Sequence, residues 1–201
     1  MAKRTAYYVL TLTLAAGTSF GASAAEAGQL KIDAQHSAVN FQVTHLMFMT
    51  VNGKFREFEG TFDFDENPGT LSNIDVTIQA ASIDTNVEGR DKDLRSKRFF
   101  DVERFPALTF KSTAPAELNG NKGRIQGTLT MHGVEKEVIL DAELLGKGKD
   151  PWGNLKYGLQ ATTTINRKDF GMTWNEVLEA GGVMVGDEVE VTLNIEAAPA
   201  S

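Results

Sequence analysis

Asp84–Phe110, DTNVEGRDKDLRSKRFFDVERFPALTF, is the stretch that decides the fold, because it alone carries a helical pattern in a chain otherwise patterned for strands. Thr85-x-x-Glu88 has the form of a capping box, in which a hydroxyl and a carboxylate satisfy orphan amides at a helix start. Glu88/Lys92, Asp91/Arg95 and Asp93/Lys97 are acid-then-base pairs at i,i+4, the favourable order on a helix surface. Val87 and Leu94 are its only apolar stripe, so the helix is expected to be mostly solvated, with Asp91, Asp93 and Asp101 in a solvated ion-pair network. Phe99-Phe100 follows, and then Phe105-Pro106, where proline stops helix and drives Phe105 towards extended geometry. The expected element is a short charged helix whose aromatic tail plugs into something apolar. The rest of the chain must provide that partner.

On both sides of this stretch the period is two. Val39, Phe41, Val43 and His45 share one phase, and Phe58, Phe62 and Phe64 another. Phe55 sits on the opposite parity from these three, which predicts a bulge near Arg56-Glu57. Ile74, Val76 and Ile78 alternate up to the helical insertion, and Leu108 and Phe110 resume after it. Ile125, Gly127, Leu129 and Met131 pass through His132-Gly133 into Val138, Leu140, Ala142 and Leu144. Tyr157 to Ile165 and Val189 to Ile195 complete the pattern, with Asn166 to Gly182 irregular between them. About eight strands, mostly joined by short turns, argue an antiparallel sheet with one wet face, closed as a barrel or packed as a sandwich. An eight-stranded barrel has room inside for one small ligand.

The N-terminus reads differently. Lys3 and Arg4 precede an uncharged apolar run from Ala6 to Gly17, and Ala22-Ser23-Ala24 offers small residues for cleavage. Residues 1–25 are expected to be a cleaved signal peptide and residues 28–198 one barrel domain in the periplasm. Loss of Lys3 and Arg4 takes the formal charge from −7 to −9. So acidic a chain is a poor ligand for nucleic acid or anionic membrane. It has no cysteine, so neither disulfides nor thiol chemistry are available.

Catalytic signals are weak. His36, His45 and His132 lack metal-ligand spacing, and no nucleophile-elbow or phosphate-loop motif occurs. His36 and His132 read as turn residues bonding nearby backbone, and His45 as an inward or rim histidine. No catalytic residue, metal or cofactor is assigned. The twelve phenylalanines are the better clue. On inward phases they make either an ordinary filled core or the walls of an apolar cavity.

Four separated motifs carry a family resemblance: Asp33–Phe41 (DAQHSAVNF), Gly89–Asp101 with Phe105-Pro106, Gly127–Lys136 (GTLTMHGVEK) and Ile165–Gly171 (INRKDFG). Together they resemble the YceI-like family over about Leu30 to Glu196. One departure is Asp93, where family members commonly have histidine. The resemblance implies an all-β fold, an eight-stranded antiparallel lipocalin-like barrel with a short helical insertion. It implies a non-enzymatic carrier or store for a long-chain isoprenoid or related lipid, linked to isoprenoid metabolism or stress. On that fold the expected ligand contacts are Val39, Phe41, Val43, His45, Phe55, Phe62, Ile74, Val76, Ile78, Phe100, Phe110 and Leu129. Arg90 and Arg98 are weaker candidates for a head group, and Arg167 with Asp169 is expected to form a turn-fixing salt bridge. Transient membrane contact and a monomer or homodimer are compatible with this reading. The alternatives are an isoprenoid enzyme with His45 as acid/base, and a ligand-free structural or stress protein.

Overall fold

The computed structural model describes residues 28–200, and its strands form one antiparallel sheet. In chain order they are β1 (Gly28–Ile32), β2 (Ala38–His45), β3 (Met49–Phe55), β4 (Phe58–Asp65), β5 (Thr70–Gln79), β6 (Ile83–Asp84), β7 (Ala107–Ser112), β8 (Ala116–Glu117), β9 (Lys122–Met131), β10 (Val134–Lys149), β11 (Leu155–Asn166) and β12 (Val185–Pro199). One helix, α1 (Glu88–Arg95), lies between β6 and β7.

The sheet closes on itself. β1 and β2 both pair with β12, at Ala197–Pro199 and at Val185–Asn194, so they form two halves of one stave. β4 pairs with β1 and β3 with β2, which makes the returning stave. Six single strands, β5, β7, β9, β10, β11 and β12, complete an eight-staved barrel. Closure removes the unpaired edges that an open sheet would present. The β2–β3 loop, the β9–β10 turn and the β11–β12 connection lie at one end, here called upper. The β4–β5 turn and the β10–β11 loop lie at the lower end.

The expected bulge at Arg56-Glu57 is instead a change of partners. β3 pairs with β2 and β6, whereas β4 pairs with β1 and β5. Phe55 and Phe58 both point inward, 7% and 9% exposed, so the two residues between them face out and the parity shifts. This switch leaves the upper part of β3 without β5 beside it. The insertion from Ala80 to Pro106 occupies that side.

The insertion is held by contacts that the sequence pattern did not suggest. Val87, not Thr85, is the N-cap, and no side chain caps the helix. The Asp91 carboxylate instead accepts from the Thr85 N–H at 2.8 Å and the Thr85 hydroxyl at 2.5 Å. Arg95 donates back to the carbonyls of Ala81 and Ile83, both at 2.7 Å. None of the three i,i+4 pairs closes among the described residues, and Asp93 pairs with Arg98 at 3.4 Å. Asp91 and Asp101 are buried rather than solvated. Tertiary partners outbid surface pairs here because an exposed i,i+4 pair is worth only about 0.2–0.5 kcal/mol. A hydrogen bond to a charged group contributes about 1.5–3 kcal/mol.

Two upper hairpins differ in their turn chemistry. His132 and Gly133 form a two-residue turn with φ of 52° and 75°. A side chain at Gly133 would meet the Phe105 ring at 2.4 Å. The β2–β3 loop has Leu46 and Met47 at φ of 52° and 71°, with no glycine to relieve them. Left-handed geometry at a non-glycine residue costs on the order of 1–3 kcal/mol.

Candidate functional site

Inward side chains of the barrel do not fill it. An internal cavity of about 230 Å³ is lined almost wholly by apolar residues. An apolar cavity of about 150 Å³ already stays dry and takes up benzene. The lining along β12 runs from Val185 to Ile195, about 33 Å at roughly 3.3 Å per residue. With a strand tilt of about 40°, this leaves roughly 25 Å along the barrel axis. The space is therefore long and narrow.

Two glycines help to make it. Phe41 lies across Gly53, its strand partner, so closely that a side chain there would meet the ring at 2.2 Å. Phe110 lies over Gly127 in the same way, at 2.3 Å. Each ring lies over the bare backbone of a glycine instead of standing beside a side chain.

The lining is unevenly exposed. Towards the lower end Ile32, Phe62, Leu71, Ile125 and Leu159 are buried. Below them Leu30, Phe64, Leu118 and Tyr157 close the floor, with the Phe64 and Tyr157 rings edge-on at 5.6 Å. The Tyr157 hydroxyl donates to Glu66 at 2.6 Å. Burial, and then that carboxylate, push its pKa up to about 12. At the upper end Val43, Ile165, Val185 and Val189 are only half-buried. The cavity thus has a packed floor and a mouth beside β2, β11 and β12.

The aromatic tail of the insertion covers the opposite side of the upper end. Phe100 enters the cavity and meets Phe55 edge-on at 5.8 Å. Phe99 lines it too and packs on Trp174 at 5.3 Å. Leu94 supplies the helix's contribution, while Val87 is 49% exposed and contributes nothing to the wall.

Of the residues nominated from sequence, Val39, Phe41, Val43, Phe55, Phe62, Ile74, Val76, Ile78, Phe100, Phe110 and Leu129 all line this cavity. His45 does not; its Nδ1 lies 3.0 Å from the Met184 carbonyl at the rim. Arg90 is turned to Thr85, donating to its hydroxyl at 2.7 Å and its carbonyl at 2.8 Å. Arg98 lies between Asp93 and the Trp174 ring, 4.1 Å from the ring centre. Neither arginine reaches the lining.

Arg167 does reach it, and it is 4% exposed. Its partner is Asp187 at 3.3 Å rather than Asp169. The remaining N–H groups go to the carbonyls of Gly186, Met172, Trp174 and Val185. All five donors of the guanidinium are thereby used, so it is a structural pin and not a free anion site. Burial pulls its pKa down, against the opposing pull of Asp187. Met172 also lines the cavity. Both residues fall in or beside the irregular segment Asn166–Gly182, where no period could flag them. By contrast Ile165, Val189, Val191 and Leu193 share the same alternation as the nominated residues and were legible from it.

At the lower end Asp33, His36 and Glu196 bring their ligand atoms within 4.8 Å of one another. The Lys156 ammonium lies 3.1 Å from both carboxylates and already occupies the position a cation would take. The His36 ring bonds the Asp33 carboxylate at 3.0 Å, rather than backbone. His36 and then Lys156 hold the Asp33 carboxyl at about 2. His132 bonds the distant Phe170 carbonyl at 3.0 Å.

Comparison with known proteins agrees with this architecture. Protein YceI of Salmonella newport is 41% identical over 179 residues, covering 88% of this chain and 90% of the relative. The YCEI protein of Campylobacter jejuni superimposes with a TM-score of 0.68 at 31% identity, covering 79% of this chain and 90% of that one. A polyisoprenoid binding domain from Saccharophagus degradans shares the fold, with a TM-score of 0.59 at 14% identity over 85% of this chain and 98% of that domain. The model of the YceI-like domain matches residues 30–197, nearly the whole described barrel. The chain belongs to the YceI-like family, whose lipocalin-like barrel is the one described above.

Proposed function

We propose that this protein is an exported, periplasmic carrier that holds the chain of a long isoprenoid or related lipid inside the barrel. The observation that carries the reading is the cavity itself: long, almost wholly apolar, and rising from a packed floor to half-buried valines and an isoleucine at the upper end. Export rests on the signal-peptide pattern in residues 1–25, which lie outside the described residues. The isoprenoid class is suggested by the name of the Saccharophagus fold neighbour and by the family resemblance.

The energetics suit exchange rather than capture. Burying methylenes contributes about 0.8 kcal/mol each, so a five-carbon isoprene unit gains roughly 4 kcal/mol relative to water. Four or five such units would approach the practical ceiling of about 18–21 kcal/mol. A membrane lipid does not start in water, however. Moving its tail from bilayer to barrel replaces one apolar solvent by another, so the net change is small and length is selected by the cavity. The enzyme alternative finds no second catalytic group at the cavity, and its candidate, His45, stands outside the lining.

Native mass spectrometry of residues 26–201, followed by lipid extraction, tests the reading. A co-purifying lipid in wild type is expected. Phe41→Asp, which puts a charge on the wall, should abolish it while circular dichroism still reports a β-barrel. Unchanged lipid stoichiometry in that variant, or a wild type that takes up no long-chain lipid, would sink the proposal.

A further inference from the structure

The β2–β3 loop is the least explained feature of the molecule. Phe48 is 76% exposed, Met47 59% and Met49 54%. Next to them in space stands Val177, 79% exposed, in the β11–β12 connection. Val177 bridges to Val183, whose N–H donates to the Met47 sulfur at 3.4 Å. The Met47 side chain lies against Gly182, where an added Cβ would sit 2.8 Å from its Cγ. The two upper loops therefore present one continuous apolar patch. Leu46 and Met47 hold left-handed backbone to do so. The other upper hairpin uses His132-Gly133 and is covered by Phe105.

Charge defines the partner. From Ala34 to Gly53 there is no Asp, Glu, Lys or Arg, in a chain with 23% charged residues, whereas Val177 in the neighbouring connection is flanked by the exposed carboxylates of Glu176 and Glu179. This protrusion is fitted to an uncharged apolar medium, not to an anionic surface or a charged protein face. It also adjoins the mouth, because β2 carries Val43 on the cavity wall directly before the tip. The lower-end Trp152, 83% exposed, differs on both counts. It sits in the β10–β11 loop with Asp150, between strand ends that carry Lys147, Lys149 and Lys156, over the packed floor.

We propose that Met47, Phe48 and Met49 insert into a phospholipid bilayer and set the cavity mouth against its hydrocarbon, while Val177, between Glu176 and Glu179, stays at the level of the headgroups. This rests on the carrier reading above and adds where the lipid enters. The physical advantage is that a chain then passes from bilayer to barrel without crossing water. Aromatic and apolar side chains on an uncharged tip bind by area removed from water, so anionic lipid is not needed.

The test is co-sedimentation of residues 26–201, the span that holds the whole barrel, with phosphatidylcholine vesicles, with and without phosphatidylglycerol. Wild type is expected to sediment with both, undiminished in high salt. Phe48→Asp should partition about tenfold more weakly, the effect of one lost aromatic anchor. The Phe48 side chain makes no aromatic pair among the described residues, so the fold should stand, and Phe48→Trp should show a blue-shifted emission on vesicles. Equal partitioning of wild type and Phe48→Asp would overturn the proposal. So would binding that requires phosphatidylglycerol or disappears in salt. A wild-type dimer dispersed by Phe48→Asp, seen by light scattering without vesicle binding, would reassign the patch to a second copy and also overturn it. Lipid content measured on the same samples separates the two readings. Phe48→Asp that keeps its lipid but loses vesicles supports docking. Vesicle binding by a lipid-free barrel would support docking and remove the carrier.

Discussion

The floor of the barrel and the space above it are made from the same alternating strands, yet one is packed and the other is hollow. At the floor large side chains from β1, β4, β11 and the segment after β8 come together: Leu30, Phe64, Tyr157 and Leu118 are all buried. Above it valines and isoleucines line the wall, and two phenylalanines lie over glycines. An irregular connection, a helix and a strained hairpin do what packed side chains do below. The lesson is that a binding space arises where strand side chains stop meeting, and that other elements must then hold the end in shape.

That contrast can be broken or sharpened by substitution. The largest effect is expected from Arg167→Ala, which strips hydrogen-bond donors from four carbonyls and leaves Asp187 without its buried partner. Asp187 keeps Lys168 at 2.8 Å, but each buried carbonyl left unpaired costs about 1–3 kcal/mol, so a loss of several kcal/mol is expected, to be read from chemical denaturation. A smaller loss would mean that the upper end closes without its pin. Next, Leu71→Ala towards the lower end, at 1% exposure, should cost about 2–5 kcal/mol. Val189→Ala at the mouth should cost under about 1 kcal/mol. Equal losses would erase the distinction between floor and mouth. Gly53→Val should cost about 1–3 kcal/mol by overpacking. The three nearest neighbours of the new Cβ are all atoms of the Phe41 ring, so the ring must swing into the cavity and displace ligand. Lipid occupancy should fall with thermal stability.

The smallest effect concerns the exposed lower end. The bond to Asp33, and then the charges of Asp33 and Glu196, raise the His36 pKa above its ordinary 6.5. A raised pKa in the folded state means that the stabilisation is fully present below pH about 6.5 and is lost as pH rises through the folded value. His36→Ala should therefore lower the melting temperature in mild acid and match wild type in alkali. A difference that grew with pH would contradict this sign.

Much of the barrel wall was legible because burial on one face of a strand imposes a period of two. Val39, Phe41, Val43, Ile74, Val76 and Ile78 each announced their side by their spacing. The insertion was recognisable as helix, but its contacts were not. Thr85, Asp91, Arg90 and Arg95 could equally serve a solvated helix surface, and only the neighbouring carbonyls of Ala81 and Ile83 recruited Arg95 inward. Arg167 was legible as part of a motif, and its partner was misread because Asp169 is near in sequence while Asp187 is near in space.

Local pattern thus determined the inward faces, the position of the helix and the aromatic character of the interior, and about how many staves the barrel has though not its twelve strands, since each follows from residues within a few positions of one another. Tertiary structure alone decided that Arg56-Glu57 exchanges partners instead of bulging, that the floor is packed and the mouth open, and that Phe48 stands bare beside it. These depend on which staves face each other across the barrel. Distance across the interior is set by closure of the whole sheet, a quantity that no short stretch of sequence contains.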